Sequence, residues 1–188
     1  MNPWKLPAIF AATAIAVIMG LQAYASSAAL DHRDRLFMEA ATRAGLFELR
    51  SADLALQRAS DAELRAYVQA ARRDQAEART RLLAIAAAKS RSVPGAVDGE
   101  QHTMLGELQK AAPGDFDRLY LQKVAVYAQQ SVVWLFEEAA QESKDPELRA
   151  YAASMLPVLQ LRLEQARALQ AAQWAAGPDS GPDLPAGV

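Results

Sequence analysis

Apolar residues recur every three or four positions along four long stretches of the chain, the spacing of helices that each bury one face. The first stretch, residues 31–59, sets Phe37, Ala40, Ala44, Phe47, Ser51 and Ala55 on one side and Glu39, Arg43, Arg50 and Asp53 on the other. The second, residues 60–88, carries the stripe Leu64, Val68, Ala71, Ala78, Leu82 and Ile85. A third, residues 116–142, gathers Phe116, Tyr120, Val124, Tyr127, Trp134 and Leu135 around Ser131. The fourth runs to residue 174 and places Leu148, Ala152, Met155, Leu159, Leu163 and Ala166 around Arg162.

Boundary residues divide these stretches. In "ASDAELRAY", Ser60 and Glu63 have capping-box spacing and are expected to open the second helix. Asp115 is expected to cap the third helix, and Asp145 the fourth, with Pro146 at its first position. Pro157 falls inside the fourth helix, where its ring crowds the carbonyl of Ala153 and predicts a kink. Between the second and third helices, "KSRSVPGAVDG" precedes a short amphipathic piece whose Met104, Leu105 and Leu108 would pack across the bundle's open end or lie over a pocket. Two hairpins joined by a longer link predict an all-α fold. The expected architecture is an up-and-down four-helix bundle, ferritin-like, with a short extra helix in the link between helices 2 and 3.

Polar residues interrupt all four stripes. Glu48 lies near the centre of the first, Gln75 of the second, Ser131 of the third and Arg162 of the fourth. If the hairpin tips near Ser60 and Lys144 share one end of the bundle, these residues sit about 18 to 27 Å below it. They then form one layer, with Tyr67, Tyr120, Tyr127 and Tyr151 nearby. Arg162 is expected to face Glu48, because a buried charge without a partner is costly. At the stripe's edge, its guanidinium would instead reach solvent over its aliphatic stem.

Composition narrows the chemistry. Alanine makes up about a fifth of the chain and aromatics 7%, which suits helices. Net charge is −2 with acids and bases interspersed, so the basic face of a nucleic-acid binder is missing. The absence of cysteine excludes disulfides, zinc–thiolate and iron–sulfur sites, and thiol catalysis. No G-x-S-x-G, phosphate-binding glycine loop or Glu-x-x-His motif is present. His32 and His102 stand apart, at the start of the first helix and in the link. No cofactor is expected; the fallback metal ligands are the oxygens of Glu48, Asp74 and Glu138, for an ion such as Mn²⁺ or Ca²⁺.

At the N-terminus, "MNPWK" precedes 16 apolar residues, and Ala23 and Ala25 follow at cleavage spacing. Residues 1–25 therefore read as a signal peptide cut after Ala25, which sends the protein to the periplasm. Retained, the same segment would anchor the chain in the inner membrane, facing the periplasm. The bundle is expected over residues 31–174. The Pro/Gly-rich stretch 175–188 is expected to be disordered.

The blocks "FMEAATRAGLFELRSADLALQRASDAELRAY", "FDRLYLQK" and "KDPELRAYAASMLPVLQ" resemble the bacterial exported family called domain of unknown function 4142, over residues 36–169. The resemblance implies a ferritin-like fold and an exported compartment, and no reaction. It also implies a glutamate at Glu48 and histidines at three places that here read Gln75, Ala128 and Arg162. The expectation is an exported bundle without a working metal centre, acting as a binding, scaffold or envelope-stress component. Its partner would be an envelope protein or a small anionic ligand. The alternatives are a carboxylate-based metal or redox protein and a membrane-anchored interaction module.

Overall fold

The computed structural model describes residues 30–175, and all its regular elements are helical. The expected signal segment, with Ala23 and Ala25, and residues 176–188 of the expected tail lie outside the described residues. Helix α1 spans His32–Arg58 and α2 Ala62–Ala88; the link carries α3, Gly99–Lys110. A 3-10 turn, Pro113–Asp115, leads into a third rod made of α4 (Phe116–Tyr120), a π-helical segment (Leu121–Ala128) and α5 (Gln129–Glu142). Helix α6, Pro146–Ala175, completes a four-helix bundle and continues past Pro157.

Capping differs from expectation in two places. Asp61, not Ser60, starts α2, its side chain accepting from the Leu64 N–H at 2.6 Å. Asp115 stands at the expected N-cap position, but its side chain makes no capping bond: it pairs with Arg118 at 3.1 Å, and the preceding 3-10 turn starts the rod. Asp145 caps α6, accepting from the N–H groups of Glu147 and Leu148, both at 3.0 Å. Helix α3 carries a full capping box between Asp98 and Gln101. Helix α2 ends with Ser90 at φ 53°, its N–H bonded to the Ala87 carbonyl and that of Arg91 to Ala86. These are the paired bonds of a Schellman turn, with a serine where glycine is usual.

Two buried aspartates fix the topology. At one end, Asp34 of α1 accepts from the Ser143 hydroxyl at 2.7 Å and the Asp145 N–H at 3.0 Å, clasping the α5–α6 turn. At the other, Asp117 of α4 accepts from the Ser60 hydroxyl at 2.6 Å and the Asp61 N–H at 2.9 Å, clasping the α1–α2 turn. The two hairpin tips thus sit at opposite ends, not the same end. The link returns along the bundle's length, a connection that periodicity within the helices does not specify. Arg58 fastens it, donating to the carbonyls of Leu108, Gln109 and Ala111 and lying 4.8 Å over the Phe116 ring.

Around the bundle, α1 packs on α2, α2 on α6, α6 on the third rod and the rod on α1. Helices α1 and α6 therefore face each other across the diagonal. The apolar core is split in two along the axis. One half, around Phe37, Leu82, Phe136 and Leu148, lies toward the Asp34 end. The other, around Leu64, Val68, Phe116 and Tyr120, lies toward the Asp117 end and includes Met104, Leu105 and Leu108 of α3.

The π segment turns the second half of the rod. An i→i+5 turn takes in one more residue than an i→i+4 turn, so every later position is rotated by about 100° from a regular α-helix. Gln129, Val133 and Phe136 consequently face inward. Three members of the expected inner stripe, Tyr127, Ser131 and Trp134, are exposed instead.

Candidate functional site

Between the two apolar halves lies a thin polar layer. Glu48 and Arg162 each sit sixteen residues into their helices, about 24 Å at 1.5 Å per residue. Because α1 and α6 run in the same direction from adjacent starts, the two side chains meet across the diagonal. Arg162 Nη1 donates to Glu48 Oε1 at 2.5 Å, and its Nη2 lies 3.4 Å from Asp74 Oδ2 on α2. The Arg162 side chain is 5% exposed, Glu48 14% and Asp74 40%, so one guanidinium joins a buried carboxylate to a surface one.

Neighbours complete the layer. Gln75 enters over Gly45, where a Cβ would collide with the amide nitrogen. Gln129, buried by the π rotation, donates to the Leu159 carbonyl at 3.1 Å. The Ser51 hydroxyl donates to the Glu48 carbonyl at 3.0 Å and also meets the Tyr120 hydroxyl. Small cavities flank Glu48 on both sides. One of about 10 Å³ is bordered by Gly45, Gln75, Arg79 and Tyr151, and one of about 20 Å³ by Tyr67, Tyr120 and Gln129. Each has room for about one water.

Burial sets the electrostatics. It raises the Glu48 carboxyl above its ordinary value; Arg162 pulls the other way, and the negative charge of Asp74 adds to the rise. Tyr67 is raised by burial and then by the charge of Glu48. Tyr120 is raised by burial, then by Tyr67 and Glu48. Both phenols are neutral donors at any physiological pH. The layer can take up or release a proton at Glu48, but its cavities are too small for an organic substrate.

The other expected site residues make no contact with the ion-paired trio, although Tyr151 borders the smaller cavity. Tyr127 is 57% exposed, its hydroxyl 3.4 Å from Glu100, and Ser131 only back-bonds to the Tyr127 carbonyl. Tyr151 is buried in the Asp34-end core and donates to the Ala78 carbonyl; burial pushes its pKa up to about 12. The fallback metal ligands do not converge. Glu48 and Asp74 share Arg162, while exposed Glu138 borders a separate groove between α1 and α5, beside Arg33 and Glu142. His32 neighbours Arg35, and His102 borders an open groove with Arg50 and Asp53. Among the described residues, no group of three or more His, Cys, Asp or Glu side chains could hold a metal ion. No described helix is long and apolar enough to cross a membrane.

Residues 20–169 match the sequence profile of a domain of unknown function (DUF4142). No curated protein matches the chain in sequence. Among solved structures, the crystal structure of a DUF305 fragment from Deinococcus radiodurans superposes with a TM-score of 0.68 at 12% identity, covering 77% of this chain and 99% of that one. At that identity the likeness shows the helical fold alone.

Proposed function

Given that the chain belongs to the family of domain of unknown function 4142, a name that carries no reaction, we propose that it is an exported periplasmic bundle serving the envelope as a binding or scaffold component, without a working metal centre. The observation that carries this reading is the place of Arg162. Its guanidinium bonds one carboxylate and approaches a second at mid-bundle, where a divalent cation would need those same oxygens. A fixed cation there also repels a second one. Export rests on the charged, apolar and small-residue order of residues 1–25.

Purification of the secreted protein without chelator, N-terminal sequencing, and elemental analysis after loading with iron, manganese and zinc test the proposal together. The expected result is an N-terminus at Ser26 and far less than one equivalent of any metal. A stoichiometric metal that is lost in Glu48→Ala would overturn the metal-free reading. An intact Met1 would overturn cleavage and favour an anchored module.

A further inference from the structure

Arg162 has two carboxylates to serve and one guanidinium to serve them with. Glu48 holds Nη1 from within the core at 2.5 Å, and Asp74 stands 3.4 Å from Nη2, nearer the surface. We propose that Glu48, Arg162 and Asp74 form an acid-operated switch, in which proton uptake by Glu48 passes the guanidinium to Asp74 and releases the diagonal tie between α1 and α6.

Three features of the layer support this. First, Glu48 and Asp74 together outnumber the cation that joins them, and one proton from solvent on a Glu48 oxygen makes the trio neutral. Second, the guanidinium need not become an orphan. When Glu48 is neutral, Asp74 is already within reach to take the charge, whereas a buried arginine with a single partner would be stranded. Third, Glu48 is bordered on both sides by water-sized cavities, so a proton has a way in and the carboxyl has room to turn.

The remaining groups facing the trio do not supply another proton acceptor. From α2, Tyr67 is a neutral phenol. Arg79 borders the smaller cavity with its Nε lacking a hydrogen-bond partner, and makes no ion pair with Glu48. Arg73, also from α2, approaches Asp74 from solvent at 3.8 Å and is 79% exposed. From the third rod come Tyr120, neutral, and Gln129, which does not titrate. From α6 come Arg162 and Tyr151, a neutral phenol that borders the smaller cavity. The titrating member is therefore Glu48, and the mobile member is Arg162.

Nuclear magnetic resonance on the full chain tests the switch by following the Glu48 carboxyl carbon and the Arg162 guanidinium nitrogens through an acid titration. The expected result is one shared midpoint above the ordinary glutamate value, with the Arg162 nitrogens shifting as Glu48 protonates. In Asp74→Asn, which leaves the buried pair in place, the Glu48 midpoint should fall and the Arg162 shift should shrink. Arg162 nitrogens that stay still while Glu48 titrates would overturn the proposal. So would a Glu48 midpoint unmoved by Asp74→Asn. Taken on protein stripped of metal by chelator, both readouts are independent of whether the protein is exported and of whether it binds a metal.

Discussion

Arg162 is costly to bury and costlier to leave alone, which makes it a sharp probe of the layer. Arg162→Leu removes the cation and strands the Glu48 carboxylate among apolar walls; loss of one partner from such a pair typically costs about 3–5 kcal/mol. Glu48→Gln together with Arg162→Leu removes both charges and should recover much of that loss, read from denaturant midpoints as a double-mutant cycle. Additive losses would show that the 2.5 Å contact carries no coupling. The pairing is legible in the sequence because each residue interrupts an apolar stripe and a buried charge needs a partner; the equal depth that brings them together is measured from the helix starts, not from hairpin tips at a shared end. The third member is not legible there: the sequence offers Asp74 only as a fallback metal ligand, since a half-exposed carboxylate gives no periodic signal. Nor did spacing reveal that Asp34 and Asp117 are buried clasps, because an aspartate in a first helical turn is common on electrostatic grounds alone.

At the scale of the element, the third rod shows where periodicity fails. A steady 100° per residue follows Phe116, Tyr120 and Val124 correctly, then carries Tyr127, Ser131 and Trp134 inward, although the structure turns them out. The π segment holds one residue more than a regular helix needs, and nothing in "LQKVAVYA" announces it. That surplus makes a counterintuitive prediction. Deleting exposed Tyr127 should let the segment close into a regular α-helix while Tyr120 and Val124 upstream, and Gln129, Val133 and Phe136 downstream, keep facing the core. The shortened protein should melt cooperatively, close to the parent temperature. A non-cooperative melt would show that the wide turn itself is needed to seat the Gln129 amide against the Leu159 carbonyl.

Across the whole molecule, the sequence specifies four rods and their tips but not the direction of the link, so end-to-end relations come from the structure alone. One of them controls how stability depends on pH. Lys89, at the end of α2, reaches Asp145 at 2.7 Å and Glu147 at 3.1 Å at the start of α6, joining the two hairpins. Burial acts to raise the Asp145 carboxyl, but the Lys89 bond and the Leu148 and Glu147 N–H bonds outweigh it, and the net shift is below the ordinary 3.8. Burial acts to lower Lys89, but Asp145 and Glu147 outweigh it, and the net shift is above 10.5. The Asp145 contribution is therefore present above pH 3.8 and lost as pH falls through its lowered pKa. That of Lys89 is present below pH 10.5 and lost as pH rises through its raised pKa. Glu48 works in the opposite sense to Asp145: with a raised pKa, the folded state binds its proton first, so its contribution grows as pH falls toward 4.5. Stability against urea should accordingly rise on mild acidification and fall again in stronger acid. Asp145→Asn, which keeps an N-cap side chain while removing the charge, should flatten the acid fall. Glu48→Gln should flatten the rise before it. If both variants kept the parent's profile, titration at these two sites would not govern the bundle's response to acid.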